Sequence, residues 1–193
     1  MYEFIRGAVA GLNPASVVLE TGGVGYLINI SLNTYSKISG QKEAKLLIHQ
    51  VVREDAYILY GFAEEKERQL FRDLISVNGV GANTAVMMLS SLNPDEVITA
   101  VTSANTDALK AVKGIGAKTA QRIIVDLKDK LGRLPGSDQI LISEDNTTRI
   151  EALSALVMLG FSKKDAEKTV NKIIRENPDA AVESVIKQAL KRL

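Results

Sequence analysis

Apolar positions along the chain change their spacing near residue 64 and lose it near residue 135, which predicts three segments. Over residues 1–63 short apolar runs alternate with turn formers. The runs are Val17-Val18-Leu19, Tyr26-Leu27-Ile28-Asn29-Ile30, Leu46-Leu47-Ile48-His49-Gln50-Val51-Val52 and Ala56-Tyr57-Ile58-Leu59-Tyr60. Asn13-Pro14, Gly22-Gly23 and Ser39-Gly40 separate them, which reads as strands joined by tight turns. About five strands in roughly sixty residues suit a small closed barrel, of which the OB fold is the commonest, and a small sandwich fits the same count.

From Glu64 the spacing becomes helical, with Leu70, Phe71, Leu74 and Ile75 on one stripe and charges between them. Residues 82–92 continue the pattern. Asn93-Pro94-Asp95-Glu96 supplies a cap, a proline at the first helical position and a carboxylate at the third. Residues 117–131 predict a long helix ending near Gly132, so residues 64–134 make an all-α module. Pro135-Gly136 then breaks the pattern. Residues 135–146, with three acidic and no basic side chains, predict a linker spanning about 17–21 Å as a random coil. Ile140-Leu141-Ile142 is unusually apolar for such a segment. Residues 147–193 predict a compact three-helix, UBA-like module. Thr148…Glu151 opens its first helix as a capping box, Gly160 ends that helix, Ser162…Asp165 opens the second, and Asn177-Pro178-Asp179 precedes the third. The whole is an α+β multidomain chain.

Within the helical module one unit occurs twice. Residues 74–85 and 109–120 match at an offset of 35, with Gly79/Gly114, Gly81/Gly116, Ala82/Ala117, Thr84/Thr119 and Ala85/Ala120 identical. Each copy is an apolar helix end, a Gly-x-Gly turn and a new helix: a helix-hairpin-helix. Two glycines permit positive φ and a close approach by another backbone. The helix that follows opens with free N–H groups and a partial positive charge, which together cradle an anion. Lys118 and Arg122, four residues apart, share a face of the second such helix, available to neighbouring phosphates. Contacts of this kind hold a duplex without reading its bases. A single Gly-x-Gly is more simply a tight corner between helices; two copies, one followed by Lys and Arg, favour phosphate binding. Gly114-Ile115-Gly116-Ala117-Lys118-Thr119 is not a nucleotide phosphate loop, because Ala117 precedes the lysine and no strand precedes the turn. Gly22-Gly23-Val24-Gly25 runs into a strand, so it is no dinucleotide fingerprint.

Charge sharpens this picture. The net charge is only +1, but residues 64–107 carry three Lys/Arg against seven Asp/Glu, and residues 108–133 carry seven against two. Positive charge therefore concentrates around the second hairpin. Glu54 and Asp55, between two strand runs, predict an exposed acidic hairpin tip. Such a tip is usually a polar turn; beside DNA it would repel phosphate or hold two strands apart. The absence of cysteine excludes disulfides and thiolate metal sites, and no His/Asp/Glu cluster has ligand spacing. His49, the only histidine, reads as structural. No metal and no cofactor are expected. Neither a secretion signal nor a membrane-length apolar run is seen, which predicts a cytoplasmic protein.

Taken together, the chain resembles the RuvA family, whose members recognise four-way Holliday junctions in bacterial recombination. The resemblance rests on Gly22-Gly23-Val24-Gly25-Tyr26, Val51-Val52-Arg53-Glu54-Asp55-Ala56 with Leu59-Tyr60-Gly61-Phe62, Asn78-Gly79-Val80-Gly81, and Gly114-Ile115-Gly116-Ala117-Lys118-Thr119-Ala120. It implies a DNA-binding adaptor rather than an enzyme, acting as a homotetramer on a square-planar junction, with one tetramer or two face to face. Phosphate contacts would come from Asn78, Gly79, Val80 and Gly81 in the first hairpin. In the second they would come from Lys113, Gly114, Ile115, Gly116, Lys118, Thr119 and Arg122. Glu54 and Asp55 would be the acidic pin at the junction centre. The C-terminal module would engage the RuvB ATPase through Leu156, Leu159 and Phe161, and the RuvC resolvase would join the full complex. Where the family often has a basic residue after the second glycine of the first hairpin, this chain has Ala82-Asn83, implying a weaker grip there. Two rival readings are a helix-hairpin-helix glycosylase or nuclease and a peptide-binding scaffold. The enzyme would need a nucleophilic Lys, an activating Asp or a carboxylate metal cluster, and Asp126 on the last helix reads more simply as surface charge. The scaffold would leave the paired hairpins unexplained.

Overall fold

The computed structural model describes residues 2–132, 144–178 and 180–193, without the side chains of 144–147. They belong to two compact units, Met1–Ser137 and Asp138–Leu193.

The first unit begins with five strands: β1 (Phe4–Asn13), β2 (Ser16–Thr21), β3 (Val24–Ile30), β4 (Glu43–Val52) and β5 (Tyr57–Phe62). They close in the order β1-β2-β3-β5-β4, with β3 and β5 parallel and β1 pairing β4 to seal the ring. This is a barrel of OB type, and the sandwich alternative is set aside. Alternation along the strands sends Val17, Leu19, Ile28, Ile30, Leu46 and Ile48 into the interior. β1 serves two neighbours, β4 over Phe4–Ala8 and β2 from Ala8 onward, and a register shift between Val9 and Gly11 marks the change.

β1 is absent from the apolar runs of the sequence, and Gly7 shows why. A Cβ there would lie 2.2 Å from the Glu20 carbonyl oxygen, so the residue that dilutes the strand signal is the one that allows β2 to cross so closely. The helix α1 (Leu32–Ile38) also escapes the pattern, because two turns are too short to show periodicity. Its local signal is Ser31, whose hydroxyl accepts from the Thr34 N–H at 3.0 Å.

Helix α2 (Glu65–Ile75) packs on the barrel and begins the helical module. Phe71 is fully buried, its ring 4.9 Å from Phe62, 5.2 Å from Tyr60 and 5.3 Å from His49. Glu67 is buried one turn earlier. It accepts from the Ser31 hydroxyl and, at 2.8 Å, from the Thr34 hydroxyl, and Thr34 in turn accepts from the Ala63 N–H. Arg68 donates to the Glu3 carbonyl at 3.0 Å and pairs with the Glu3 and Glu65 carboxylates. One core then runs from Tyr60 and Phe62 through α3 (Ala82–Ser91), α4 (Pro94–Thr102), α5 (Thr106–Lys110) and α6 (Ala117–Leu131). The capping box at Asn93 forms as expected, with both reciprocal bonds present.

The second unit consists of α7 (Glu144–Met158), α8 (Lys163–Glu176) and α9 (Val182–Leu190) around Ala152, Leu156, Ala166, Val170, Ile173, Val185 and Ala189. The helix expected to open at Thr148 opens instead at Glu144, so the last three residues of the predicted linker are helical. The rest of that linker, including Ile140-Leu141-Ile142, lies outside the described residues. Ser162 caps α8 as predicted, accepting from the Asp165 N–H.

Burial raises the Glu67 carboxyl above its usual 4.5, against the lowering by the Ser31 and Thr34 hydroxyls. Folding therefore favours the neutral form. This contribution to stability is full below the unfolded value and is lost as pH rises through the folded one. Urea midpoints from pH 4.5 to neutrality should fall less steeply in Glu67→Gln, which is neutral throughout. Glu67→Ala, which strands two buried hydroxyls, should cost about 2–3 kcal/mol.

Candidate nucleic-acid interface

The two sequence copies fold into the same turn. Gly79 has φ +92° and Gly114 φ +91°, values that L side chains rarely adopt. One residue on, Val80 and Ile115 turn inward and are buried. Their N–H groups close the turns onto the carbonyls of Val77 at 3.0 Å and Val112 at 3.1 Å. Gly81 and Gly116 then cap α3 and α6 in nearly the same extended conformation, φ −85°, ψ 166° and φ −84°, ψ 169°. Leu74/Leu109 and Val77/Val112 are also identical at the offset of 35, and all four are buried. These apolar identities, missed in reading the glycines, are what anchor each hairpin to the core.

Neither glycine cap supplies a side-chain acceptor to the helix it opens. The first-turn N–H groups of α3 and α6 therefore face outward unpaired by any cap. A Cβ at Gly81 or Gly116 would meet nothing within 4 Å, so the space before each helix is open. At the first hairpin Asn83 is exposed and its Oδ1 accepts from the Tyr60 hydroxyl at 3.0 Å. That bond turns the Asn83 amide NH2 away from Tyr60. Burial raises the Tyr60 phenol, which keeps it a donor at neutral pH. At the second hairpin Lys113 and Lys118 are exposed and Thr119 is half-buried. Arg122 is exposed too, and its Nη1 donates to the Asn78 carbonyl of the first hairpin at 3.0 Å.

The charge division seen in the sequence resolves into bound and free charge. Every carboxylate of residues 64–107 has a partner. Glu64 pairs with Lys37, Glu65 with Arg68, Asp73 with Lys130, Asp95 with Lys66 and Asp107 with Lys110. Glu67 holds Ser31 and Thr34, and Glu96 closes the capping box. Of the cations in residues 108–132, Lys110 and Lys130 are paired. Lys113, Lys118, Arg122 and Lys128, on or just after the second hairpin, have no carboxylate within 4.0 Å among the described residues. The acidic segment is thus neutralised internally, while positive charge stays available beside the free helix N-termini.

Glu54 and Asp55 occupy the turn between β4 and β5, closed by the Arg53 N–H on the Ala56 carbonyl at 2.8 Å. Both are exposed, flanked by the exposed Val52 and Tyr57, which pair across the hairpin. In the second unit the predicted apolar trio divides. Leu159 is exposed, and Phe161 is half-buried against the core. Leu156 is fully buried inside that core, a correction: it faces α8 and α9 rather than solvent, and the exposed neighbours of Leu159 are Val157 and Met158.

An OB-type barrel fused to paired helix-hairpin-helix units, with unpaired N-termini and free cations on the hairpins, defines a DNA-binding protein of the tandem helix-hairpin-helix class. Family models match in chain order: RuvA N terminal domain over residues 1–61, SAM-like helix-hairpin-helix tandem over 71–129, and RuvA C-terminal domain over 149–193. The chain belongs to the RuvA family. It is 51% identical, over the full length of both chains, to the proteins named Holliday junction branch migration complex subunit RuvA of Bacteroides thetaiotaomicron and Christiangramia forsetii. It is 49% identical, again over both full lengths, to that of Flavobacterium psychrophilum.

The two glycines of a hairpin differ in what alanine would do. Gly114→Ala forces an L residue to positive φ and should cost at least about 1–2 kcal/mol. Gly116→Ala meets open space in an extended conformation and should cost below about 1 kcal/mol. Thermal melts of the two variants should separate them.

Proposed function

We propose that the chain is a non-enzymatic adaptor that binds four-way junction DNA through both hairpins and serves the branch migration machinery of recombination and repair. The observation that carries the reading is the repetition of one hairpin geometry, with φ of +92° and +91° at its glycines and an open helix N-terminus at each. Two such turns match two phosphates of a backbone, which suits recognition by shape rather than by sequence. The turn of Asn78, Gly79, Val80 and Gly81 makes the first contact, through the uncapped N–H groups at the start of α3 and the Asn83 amide. Lys113, Gly114, Ile115, Gly116, Lys118 and Thr119 make the second, with Arg122 between them. Val80 and Ile115 take part by shaping the turns, since their side chains are buried and their N–H groups are bonded to the Val77 and Val112 carbonyls.

Four copies around a fourfold axis would present one such pair of hairpins to each arm of an open, square-planar junction. Glu54 and Asp55 then stand at the centre, where carboxylates repel the phosphates of the diverging strands. In the C-terminal unit the exposed Val157, Met158 and Leu159, with the half-buried Phe161, offer an apolar surface to the RuvB motor, and RuvC acts on the same junction. The chain's relatives carry the name of the branch migration complex, and that supports this assignment of partners.

A gel-shift competition tests the reading: labelled four-way junction against unlabelled linear duplex of the same arm sequence. Strong junction preference without strand scission is expected. Equal affinity would reduce the protein to a general duplex binder, and scission would restore the enzyme reading. Lys118→Ala should weaken binding and lower the log–log salt slope by about 0.9, the contribution of one phosphate contact. The double variant Glu54→Gln, Asp55→Asn should bind the junction as tightly or more tightly while changing strand movement. A large loss of affinity would make the tip a binding element instead.

A further inference from the structure

The hairpins are related by more than their own shape. At the offset of 35 residues, Met87 on α3 corresponds to Arg122 on α6. Each of these two side chains lies over the positive-φ glycine of the other unit. A Cβ on Gly114 would sit 3.5 Å from Met87 Cε, and a Cβ on Gly79 would sit 3.8 Å from Arg122 Nη1. The cross-brace is therefore reciprocal in position but unequal in chemistry. Met87 offers only van der Waals contact. Arg122 reaches 44 residues back along the chain to donate a charge-assisted hydrogen bond to the Asn78 carbonyl.

Resting on the proposed DNA-binding role, we propose that Arg122 is a positioning residue for the first hairpin, although it belongs to the second. By pinning the Asn78 carbonyl it fixes the peptide that leads into Gly79, and so the direction of the N–H groups that follow. It also brings a cation to the hairpin whose own helix starts Ala82-Asn83 and holds no basic residue in its first turn. A guanidinium carries five N–H donors; one is used on Asn78, and the others remain for phosphate. The two hairpins thereby act as a single surface, whereas Lys118 serves the second hairpin alone.

The test uses the full chain and two matched reporters. Val80 and Ile115 hold equivalent places, each buried with its N–H bonded inside its own turn. In the free protein, Arg122→Met should speed amide exchange at Val80 by about fivefold or more, as local opening becomes easier, and leave Ile115 unchanged. No change at Val80, or equal acceleration at both, overturns the brace. On four-way junction DNA, Arg122→Met and Asn83→Ala should be non-additive by about threefold or more, while Arg122→Met and Lys118→Ala should be additive. The opposite pattern overturns the assignment of Arg122 to the first hairpin. A wild-type chain that binds neither junction nor duplex refutes the proposed function instead, and the exchange result then decides the brace by itself.

Discussion

The insertion of α2 against the barrel is the contact from which the rest of the first unit follows. Phe71 fills a space walled by His49, Tyr60 and Phe62, so one aromatic side chain is shared between the end of the β structure and the start of the helical core. Around it, Glu67 and Arg68 fix the remaining freedom, the first by gripping Ser31 and Thr34 at the start of α1, the second by holding the Glu3 backbone and carboxylate. A buried carboxylate and a buried guanidinium are costly unless hydrogen-bonded. Both Glu67 oxygens and both Arg68 Nη atoms are bonded, only the buried Arg68 Nε lacking a partner, and such bonds form in few orientations. Apolar packing supplies attraction; these polar ties supply the angle at which α2 leaves the barrel. The first hairpin begins where α2 ends, so that angle also sets where the hairpin stands.

From α2 onward, the geometry is carried by apolar residues beneath the glycines. Leu74, Val77 and Val80 lie under one turn, and Leu109, Val112 and Ile115 under the other. With every second or third residue of a hairpin buried, its exposed N–H groups have little freedom to reorient. A site made of backbone donors works only under that condition, because such donors cannot compensate for a misplaced loop as a long side chain can. Tyr60 extends the same logic, for a residue of strand β5 that packs in the helical core orients Asn83 on the first turn of α3.

Much of this was legible in the residues. Strand runs, the capping box at Asn93, the N-cap at Ser162 and the doubled Gly-x-Gly all mark local chemistry that the fold retains. The features that escaped are those whose cause is distant in sequence. β1 was hidden by Gly7, which is explained only by the Glu20 carbonyl that crosses it. Leu156 entered the apolar contact surface only through the family resemblance, and nothing local in the sequence marks which side of its helix faces α8 and α9. Arg122 read as a second-hairpin cation because four-residue spacing from Lys118 describes one helix face, whereas its hydrogen bond is to Asn78. The charge asymmetry was visible as composition, but its meaning was not. Only the structure pairs the acids of residues 64–107 with partners and leaves Lys113 and Lys118 of the second hairpin without them.

That pairing bears on how a chain with a net charge of +1 can suit a polyanion. Affinity for DNA scales with the phosphates neutralised rather than with total charge. A protein whose net charge is near zero, with the acids of one segment spent on internal ties, limits non-specific attraction to any duplex. Under the proposed function its discrimination would then come from geometry: hairpins fixed on one core, with Glu54 and Asp55 at an exposed hairpin tip where they would repel phosphate. Strong uniform positive charge would raise affinity for every arm and every linear duplex alike, and so erode the preference for a junction. Near-neutral net charge with local separation of sign is therefore the electrostatic form expected of a reader of DNA shape, and Arg122, a cation shared between two hairpins, serves that form with one charge instead of two.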